Sequence, residues 1–567
     1  MRKLSAVAFV LLCASGYAPA QFIGKGKIID PYNYSIQKEQ IFTKGAVASA
    51  HPLASVVGAQ ILKQGGNAID ASIAVQLALA VVYPGAGNIG GGGFLVARMQ
   101  DGKTFTLDYR ETAPAKASRD MYLDAQGNAQ TNLSQNGHLA SGVPGTIAGL
   151  FASMKYAKLP FKTLIQPAID LAENGFALSE REAGSLNASQ EAFKRYNSKQ
   201  PVFIKNKWKA GDTLVQKDLA NTLKRIRDKG AAGFYEGETA RLIVEEMKRG
   251  NGLISYADLK NYKAKDRKPL QFDYKGYTIV SMPPPSSGGV LLLQMLKMVE
   301  NKPLAAYGFE TAKSVQLMTE AERRAYADRA EHLGDPDFWK VPLTTMTSDA
   351  YIAKRMSDYD STRAGKSTEV KAGIIESEET THISIMDKWG NMVSVTTTLN
   401  GQYGSKTVVG GAGFLLNNEM DDFSVKPGVP NMYGAIGGEA NAIAPGKRML
   451  SSMTPSLVIK GNNPFMVLGT PGGTTIPTSV YQTIINVIDF GMNASNAINK
   501  PKFHHQWLPD EIQVEKDFSQ DVRKQLENMG YKIVERSSIG RMEVIKITNG
   551  KMETAADKRG DDSVAGF

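Results

Sequence analysis

The stretch Glu378-Glu379-Thr380-Thr381-His382-Ile383-Ser384 constrains this chain most, because it opens a strand on two hydroxyl residues and runs straight into a hairpin. Thr381, Ile383 and Ile385 alternate with His382, Ser384 and Met386, the period of a half-buried strand. The turn-like Asp387-Lys388-Trp389-Gly390-Asn391 follows, and then Met392-Val393-Ser394-Val395-Thr396-Thr397-Thr398-Leu399-Asn400 returns. With the loop centred on Trp389, Thr380 falls opposite Thr398; a slip of one residue would put Thr397 or Leu399 there instead.

A threonine at a strand head is an ordinary β-former, and its hydroxyl is a poor nucleophile until a base takes its proton. The chain has six histidines, and His382 is the one nearest in sequence. Two residues along a strand is roughly 6.5 Å at the backbone, remote for a base. A cut between Glu379 and Thr380 would supply a nearer one. The freed α-amine would lie one side-chain length from the hydroxyl and titrate at about 7.7–8.0, where general-base catalysis works well. The hydroxyl could make that cut itself, by attacking the Glu379 carbonyl to give an ester that water opens.

Other segments supply complementary chemistry. Leu468-Gly469-Thr470-Pro471-Gly472-Gly473 precedes a helical pattern from Thr474 to Phe490. Consecutive glycines there can turn two amides outward as an oxyanion hole. Ser451 and Ser452 put adjacent hydroxyls beside an expected strand. The run Asn417 to Phe423 holds Glu419, Asp421 and Asp422, suited to an ammonium group. Arg110, at the end of an expected strand, carries a fork that fits a carboxylate. Each has a plainer reading as a turn, a cap, a solvated loop or a surface ion pair. Together they describe a pocket for a zwitterionic amino-acid head beside an acyl-transfer centre, the shape a γ-glutamyl group needs.

Several classes are set aside. The net charge of +10 is dispersed among acids with no aromatic-basic interleaving, which argues against nucleic acid. Gly85 to Gly90 matches G-x-G-x-x-G but runs into the strand-like Phe94-Leu95-Val96-Ala97, so it is read as close backbone packing and not a dinucleotide site. His504 and His505 are adjacent and lack a third ligand at metal-binding spacing. Arg2 and Lys3 ahead of the apolar run Leu4–Leu12, with Ala18-Pro19-Ala20 behind it, read as a signal peptide over 1–20 carrying the single cysteine, Cys13. No later run suits a membrane anchor, and an exported protein, periplasmic or secreted, is expected. Length alone suggests roughly three to four domains. Helical patterns are expected over Asn67–Val82, Glu238–Arg249, Gly289–Glu300 and Thr311–His332. A polar, cleavable linker is expected over 358–379. Composition divides the chain into a helix-rich part, 21–379, and a strand-rich part, 380–567.

The ordered blocks Ala50-His51-Pro52-Leu53-Ala54, Gly66 to Ala71, Asn88 to Phe94, Asp108 to Pro114, Val143-Pro144-Gly145 and Pro284 to Gly289 join those at 380–400, 417–423, 450–455 and 469–473. In this the chain resembles the bacterial γ-glutamyltranspeptidases, of the N-terminal-nucleophile hydrolases, from about Val47 to its end. The resemblance implies an α/β (α+β) fold, a four-layer αββα sandwich. It implies a precursor that cleaves itself at Glu379–Thr380 into a large and a small subunit that stay together. It also implies Thr380 as nucleophile with Thr398 bonded to it, and Gly472 and Gly473 as the oxyanion hole. Arg110, Ser451 and Ser452 would bind the substrate α-carboxylate, and Asn400, Glu419 and Asp422 its amine. Tyr433, in the loop 426–447, would be a lid. Glu419 departs from the glutamine of many relatives. The implied chemistry is transfer of the γ-glutamyl group of glutathione or glutamine to water, an amino acid or a dipeptide, without cofactor or metal. Action on poly-γ-glutamate or an acylated β-lactam, or plain amino-acid binding by an exported protein, are the alternatives.

Overall fold

The computed structural model describes residues 29–370, 379–426 and 438–567. The signal-peptide segment, residues 371–378 of the expected linker, and Tyr433 lie outside them.

The strand-head hairpin forms in the expected register. Glu379–Asp387 pairs antiparallel with Met392–Asn400, with Thr380 opposite Thr398 and Ile383 opposite Val395. The register shifts between Glu379, opposite Asn400, and Thr380. Leu399 is therefore an extra residue, and the bulge bends the strand Met392–Asn400 at its end. Asn400, beyond it, has φ of 70°.

The far end of the hairpin is fixed by Asp387. Its Oδ1 accepts from the amides of Trp389 and Asn391, and its Oδ2 from the amide of Ala68. Ala68 begins the helix Ala68–Val82, every residue of which is buried. Asn67 caps that helix and Asp70 closes the reciprocal capping box; a cap of this kind stabilises a helix by about 1 kcal/mol.

Two antiparallel seven-stranded sheets pack face to face. One runs, edge to edge, Ser563–Gly566, Gly45–Ser49, Glu379–Asp387, Met392–Asn400, Gly92–Arg98, Thr104–Asp108 and Lys265–Arg267. The other runs Glu39–Phe42, Lys551–Ala556, Glu543–Thr548, Asn463–Gly469, Ser456–Lys460, Tyr277–Ser281 and Leu270–Tyr274. Helices Pro52–Lys63, Ala68–Val82 and Phe161–Asn174 share a core with the first sheet. Gly288–Val299, Ala312–His332 and Thr475–Ile488 share one with the second. The result is the αββα sandwich. Length would allow three to four separate domains, but both sheets take strands from either side of residue 380, so no boundary falls there.

Strand alternation decides which side chains meet the second sheet. Ile383 and Ile385 enter the helix-side core, whereas Met386 packs with the second sheet's core. Ser384 Oγ donates to the carbonyl of Glu543 in that second sheet. Thr380, six positions before Met386, shares this inward face. The glycine run 90–93 packs tightly, as its sequence suggests: a Cβ on Gly91 would lie 2.0 Å from the carbonyl oxygen of Thr398.

Candidate active site

A small cavity between the sheet edges is lined by Arg110, Thr380, Thr398, Asn400, Glu419, Asp422, Ser451, Ser452 and Gly473, with Met453 and Ile476. These residues come from six separate segments. Of the site residues named from sequence, Gly472 abuts the cavity, Asp421 and Glu379 are not in its lining, and Tyr433 is outside the described residues; the rest converge here.

Thr380 is 7% exposed, and the amide of Gly472 donates to its Oγ1 at 3.2 Å. The amide sits there because the strand Asn463–Gly469 ends in a turn that only glycine can make, with φ of 134° at Gly472 and 56° at Gly473. Helix Thr475–Ile488 then starts at once, and Thr475 Oγ1 fastens the turn by donating to the Gly472 carbonyl at 2.7 Å. The Thr398 hydroxyl accepts from the Asn400 amide at 2.7 Å, which leaves its own proton to be donated elsewhere.

Arg110 is 1% exposed, a buried group and not the surface ion pair that its sequence context alone would favour. It forms ion pairs with Glu419 and Asp422, and its Nη1 lies 3.6 Å from Glu111. Nη2 also donates to the carbonyl of Leu450 at 3.2 Å. The groups expected to take opposite ends of a zwitterion therefore hold one another in the resting site. Glu111 is fully buried, and that burial pushes its carboxyl well above the usual range despite the pull of Arg110.

Asn400 Nδ2 donates to the Asn418 carbonyl at 3.0 Å, which turns its carbonyl end away as an acceptor. Ser451 Oγ accepts from the Met453 amide at 3.2 Å, and Ser452 Oγ accepts from Arg329 at 3.3 Å. Each serine oxygen thus accepts from the protein, and both hydroxyls border the cavity. Asp421 does not join the other two acids. It turns to the Ser134 hydroxyl, and burial raises its carboxyl to about 7.

Three supporting residues were given no role of their own from sequence. Arg329 lies in the last turn of a long, mostly buried helix, where nothing in the pattern marks it. Asn88 donates to the Thr398 carbonyl at 2.8 Å and accepts from the Gly91 amide at 3.0 Å, bracing the hairpin against the glycine run. Asn417 donates to the carbonyls of Gly90 and Gly142, which anchors the acidic loop.

The histidines have other work. His382 bonds Thr396 at 2.8 Å and Ser384 at 3.1 Å, and burial lowers it to about 3, so it is neutral and pointed away from base duty. A Cβ on Gly469 would come within 2.2 Å of its ring. His504 bonds Thr478 and Gln506, and His505 faces Asp510. Among the described residues, no three His, Cys, Asp or Glu side chains are grouped to hold a metal, and no helix is long and apolar enough to cross a membrane.

The family model described as gamma-glutamyltranspeptidase matches residues 54–567, nearly the whole chain. The chain belongs to the γ-glutamyltranspeptidase family. Its sequence is similar to the glutathione hydrolase proenzyme of Escherichia coli, 47% identical over 551 residues and 95% of each chain. Its fold is similar to the cephalosporin acylase of Bacillus halodurans, with a TM-score of 0.83 at 27% identity over 95% of this chain and 99% of that one. It also matches a chain of the Helicobacter pylori γ-glutamyltranspeptidase, with a TM-score of 0.56 at 45% identity over 60% of this chain and 96% of that one. The sandwich is accordingly that of the N-terminal-nucleophile γ-glutamyltranspeptidases.

Proposed function

We propose that this chain is a γ-glutamyltransferase and glutathione hydrolase, matured by its own cleavage between Glu379 and Thr380. The observation that carries the reading is the amide of Gly472 on the Thr380 hydroxyl, in a cavity that also holds a buried arginine, two acids and two serine hydroxyls.

In maturation, Thr380 Oγ attacks the Glu379 carbonyl carbon. The peptide C–N bond gives way to an ester, and water hydrolyses it. Residues 21–379 become the large subunit and 380–567 the small one, with 1–20 removed on export to the periplasm or beyond. In turnover, the α-carboxylate of a γ-glutamyl compound takes Arg110, Ser451 and Ser452. Its ammonium takes Asn400, Glu419 and Asp422, so the substrate's two charges replace the internal ion pairs of the resting site. The Thr380 amine accepts the hydroxyl proton, Oγ attacks the γ-carbonyl, and the amides of Gly472 and Gly473 stabilise the oxyanion. The C–N bond breaks, and the same proton leaves with the amine. Water, an amino acid or a dipeptide then opens the ester. Thr398 donates to Thr380 throughout, and Tyr433 covers the bound group.

Purified protein incubated with glutathione should release glutamate, and with glycylglycine added should form a γ-glutamyl tripeptide. A denaturing gel should show two bands, the smaller beginning at Thr380. One band and no glutamate would refute the reading and favour a binding protein.

The likeness to a cephalosporin acylase favours a second reading, hydrolysis of an acylated β-lactam. The acids that pair with Arg110 weigh against it, because such a substrate's acyl head need not carry an amine. Rates on glutathione and on a glutaryl β-lactam, measured side by side, separate the two.

A further inference from the structure

Asn441 ends the short turn Glu439–Asn441 and is 6% exposed. It does not line the small cavity, yet its side chain joins two segments that do. Nδ2 donates to the backbone carbonyl of Asp422 at 2.7 Å, and Oδ1 accepts from the amide of Leu450 at 2.9 Å. The partners fix which end is which, since a carbonyl only accepts and a backbone N–H only donates. A carboxylate of the same shape could still meet Leu450 but would set an oxygen against the Asp422 carbonyl.

The two joined segments belong to opposite halves of the substrate site. Asp422 stands on the side that takes the ammonium, and Leu450 leads into Ser451 and Ser452 on the side that takes the carboxylate. In the resting site these segments are also tied through Arg110. Its guanidinium pairs with the Asp422 carboxylate, and its Nη2 donates to the Leu450 carbonyl at 3.2 Å. A zwitterionic substrate must break the Arg110–Asp422 pair, because its own two charges replace it. The Asn441 bridge runs from backbone to backbone and still spans the two segments when that pair has gone.

The turn that presents Asn441 is braced on every side. Lys447 is 4% exposed, and its Nζ donates to the carbonyls of Ala440 at 2.8 Å and Ala442 at 2.9 Å, one on each flank of Asn441. The Ser424 amide donates to the Asn441 carbonyl at 2.9 Å, and the Ser424 hydroxyl donates to the Gly438 carbonyl at 3.0 Å. The Ala113 amide donates to the Lys447 carbonyl at 2.8 Å, which ties the turn to the segment carrying Arg110. A side chain anchored in this way acts as a spacer and not as a loose contact.

We propose that Asn441 is a positioning residue that sets the distance between the ammonium and carboxylate halves of the site, and so favours an α-amino-acid head over an acid that lacks the amine. The inference rests on the γ-glutamyl transfer reading above.

The test uses matured protein with two anilides, L-γ-glutamyl-p-nitroanilide and glutaryl-p-nitroanilide, which keeps the carboxylate and has no amine. The second is followed as a substrate or, where turnover is slow, as a competitive inhibitor of the first. Asn441→Asp loses only the bond to the Asp422 carbonyl. It should raise KM for the γ-glutamyl anilide about tenfold with kcat within about twofold of wild type, the effect of stranding one buried acceptor. The KM or inhibition constant of the glutaryl anilide should move by less than about threefold. Should Asn441→Asp fail to mature, Asn441→Ala carries the same comparison, with the ratio of the two constants expected to change at least about threefold. Constants that shift alike for both anilides, or for neither, would overturn the assignment. So would failure of both variants to mature, which marks a residue of the fold. If wild type turns over neither anilide, the γ-glutamyl reading fails first and this one with it; if wild type cleaves the γ-glutamyl anilide and the variant does not discriminate, only this one fails.

Discussion

The Nη2 of Arg329 donates to the Oγ of Ser452 at 3.3 Å, from a helix position that is itself 1% exposed. A guanidinium only donates, so the serine oxygen must accept, and that bond fixes where the hydroxyl sits on the cavity wall. Arg329 is thereby a positioning residue for whatever anion Ser452 meets. Arg329→Gln should raise KM for a γ-glutamyl substrate about tenfold with kcat little changed, and Arg329→Lys should restore most of the loss. Combined with Ser452→Ala, the two effects should be less than additive. Equal falls in kcat and kcat/KM would mark a general structural role instead.

Thr380→Ala should give a full-length, inactive chain on a denaturing gel. Thr398→Ala retains the nucleophile but loses the hydroxyl opposite it, so kcat should drop on the order of 100-fold and maturation should slow. A processed, fully active Thr398→Ala protein would remove that residue from the mechanism.

Arg110→Ala deletes a buried cation and strands Glu419 and Asp422 without their partner. Substrate binding should weaken by roughly 2–5 kcal/mol, read as KM. A wild-type KM would mean that the carboxylate is held elsewhere.

Asp421 supplies a pH test. Burial raises its carboxyl to about 7, outweighing the hydrogen bond from Ser134. Between the ordinary carboxylate range, about 4, and 7 the native chain keeps a proton that the unfolded chain has released, so this residue's contribution to stability falls as pH rises through that window. Asp421→Asn cannot ionise. The difference in unfolding midpoint, variant minus wild type, should grow from pH 4 to 7 and level off above. A constant difference would show that Asp421 titrates normally.

Much of the site could be read from the sequence because its parts are local. The hairpin register followed from strand period and loop centre, and Thr398 does face Thr380. The glycine turn, the serine pair and the helix opened by Asn67 and Asp70 are short-range signals of the same kind. What could not be read depends on packing between segments far apart in the chain. Arg329 reaches Ser452 across 123 positions, and Asn88 reaches Thr398 across 310. The turning away of Asp421 from its two neighbours is set by Ser134, 287 positions earlier. Composition divides a helix-rich from a strand-rich part, yet it gives no hint that both contribute to the same two sheets.

That interleaving governs how the molecule behaves after a cut at residue 380. The strand Glu379–Asp387 is flanked by Gly45–Ser49 on one side and Met392–Asn400 on the other, and Met392–Asn400 is flanked in turn by Gly92–Arg98. The two polypeptides would be braided through a shared hydrogen-bond lattice. Parting them would mean unfolding both, so dissociation and melting become one event and the melting temperature of the cut protein should depend on its concentration.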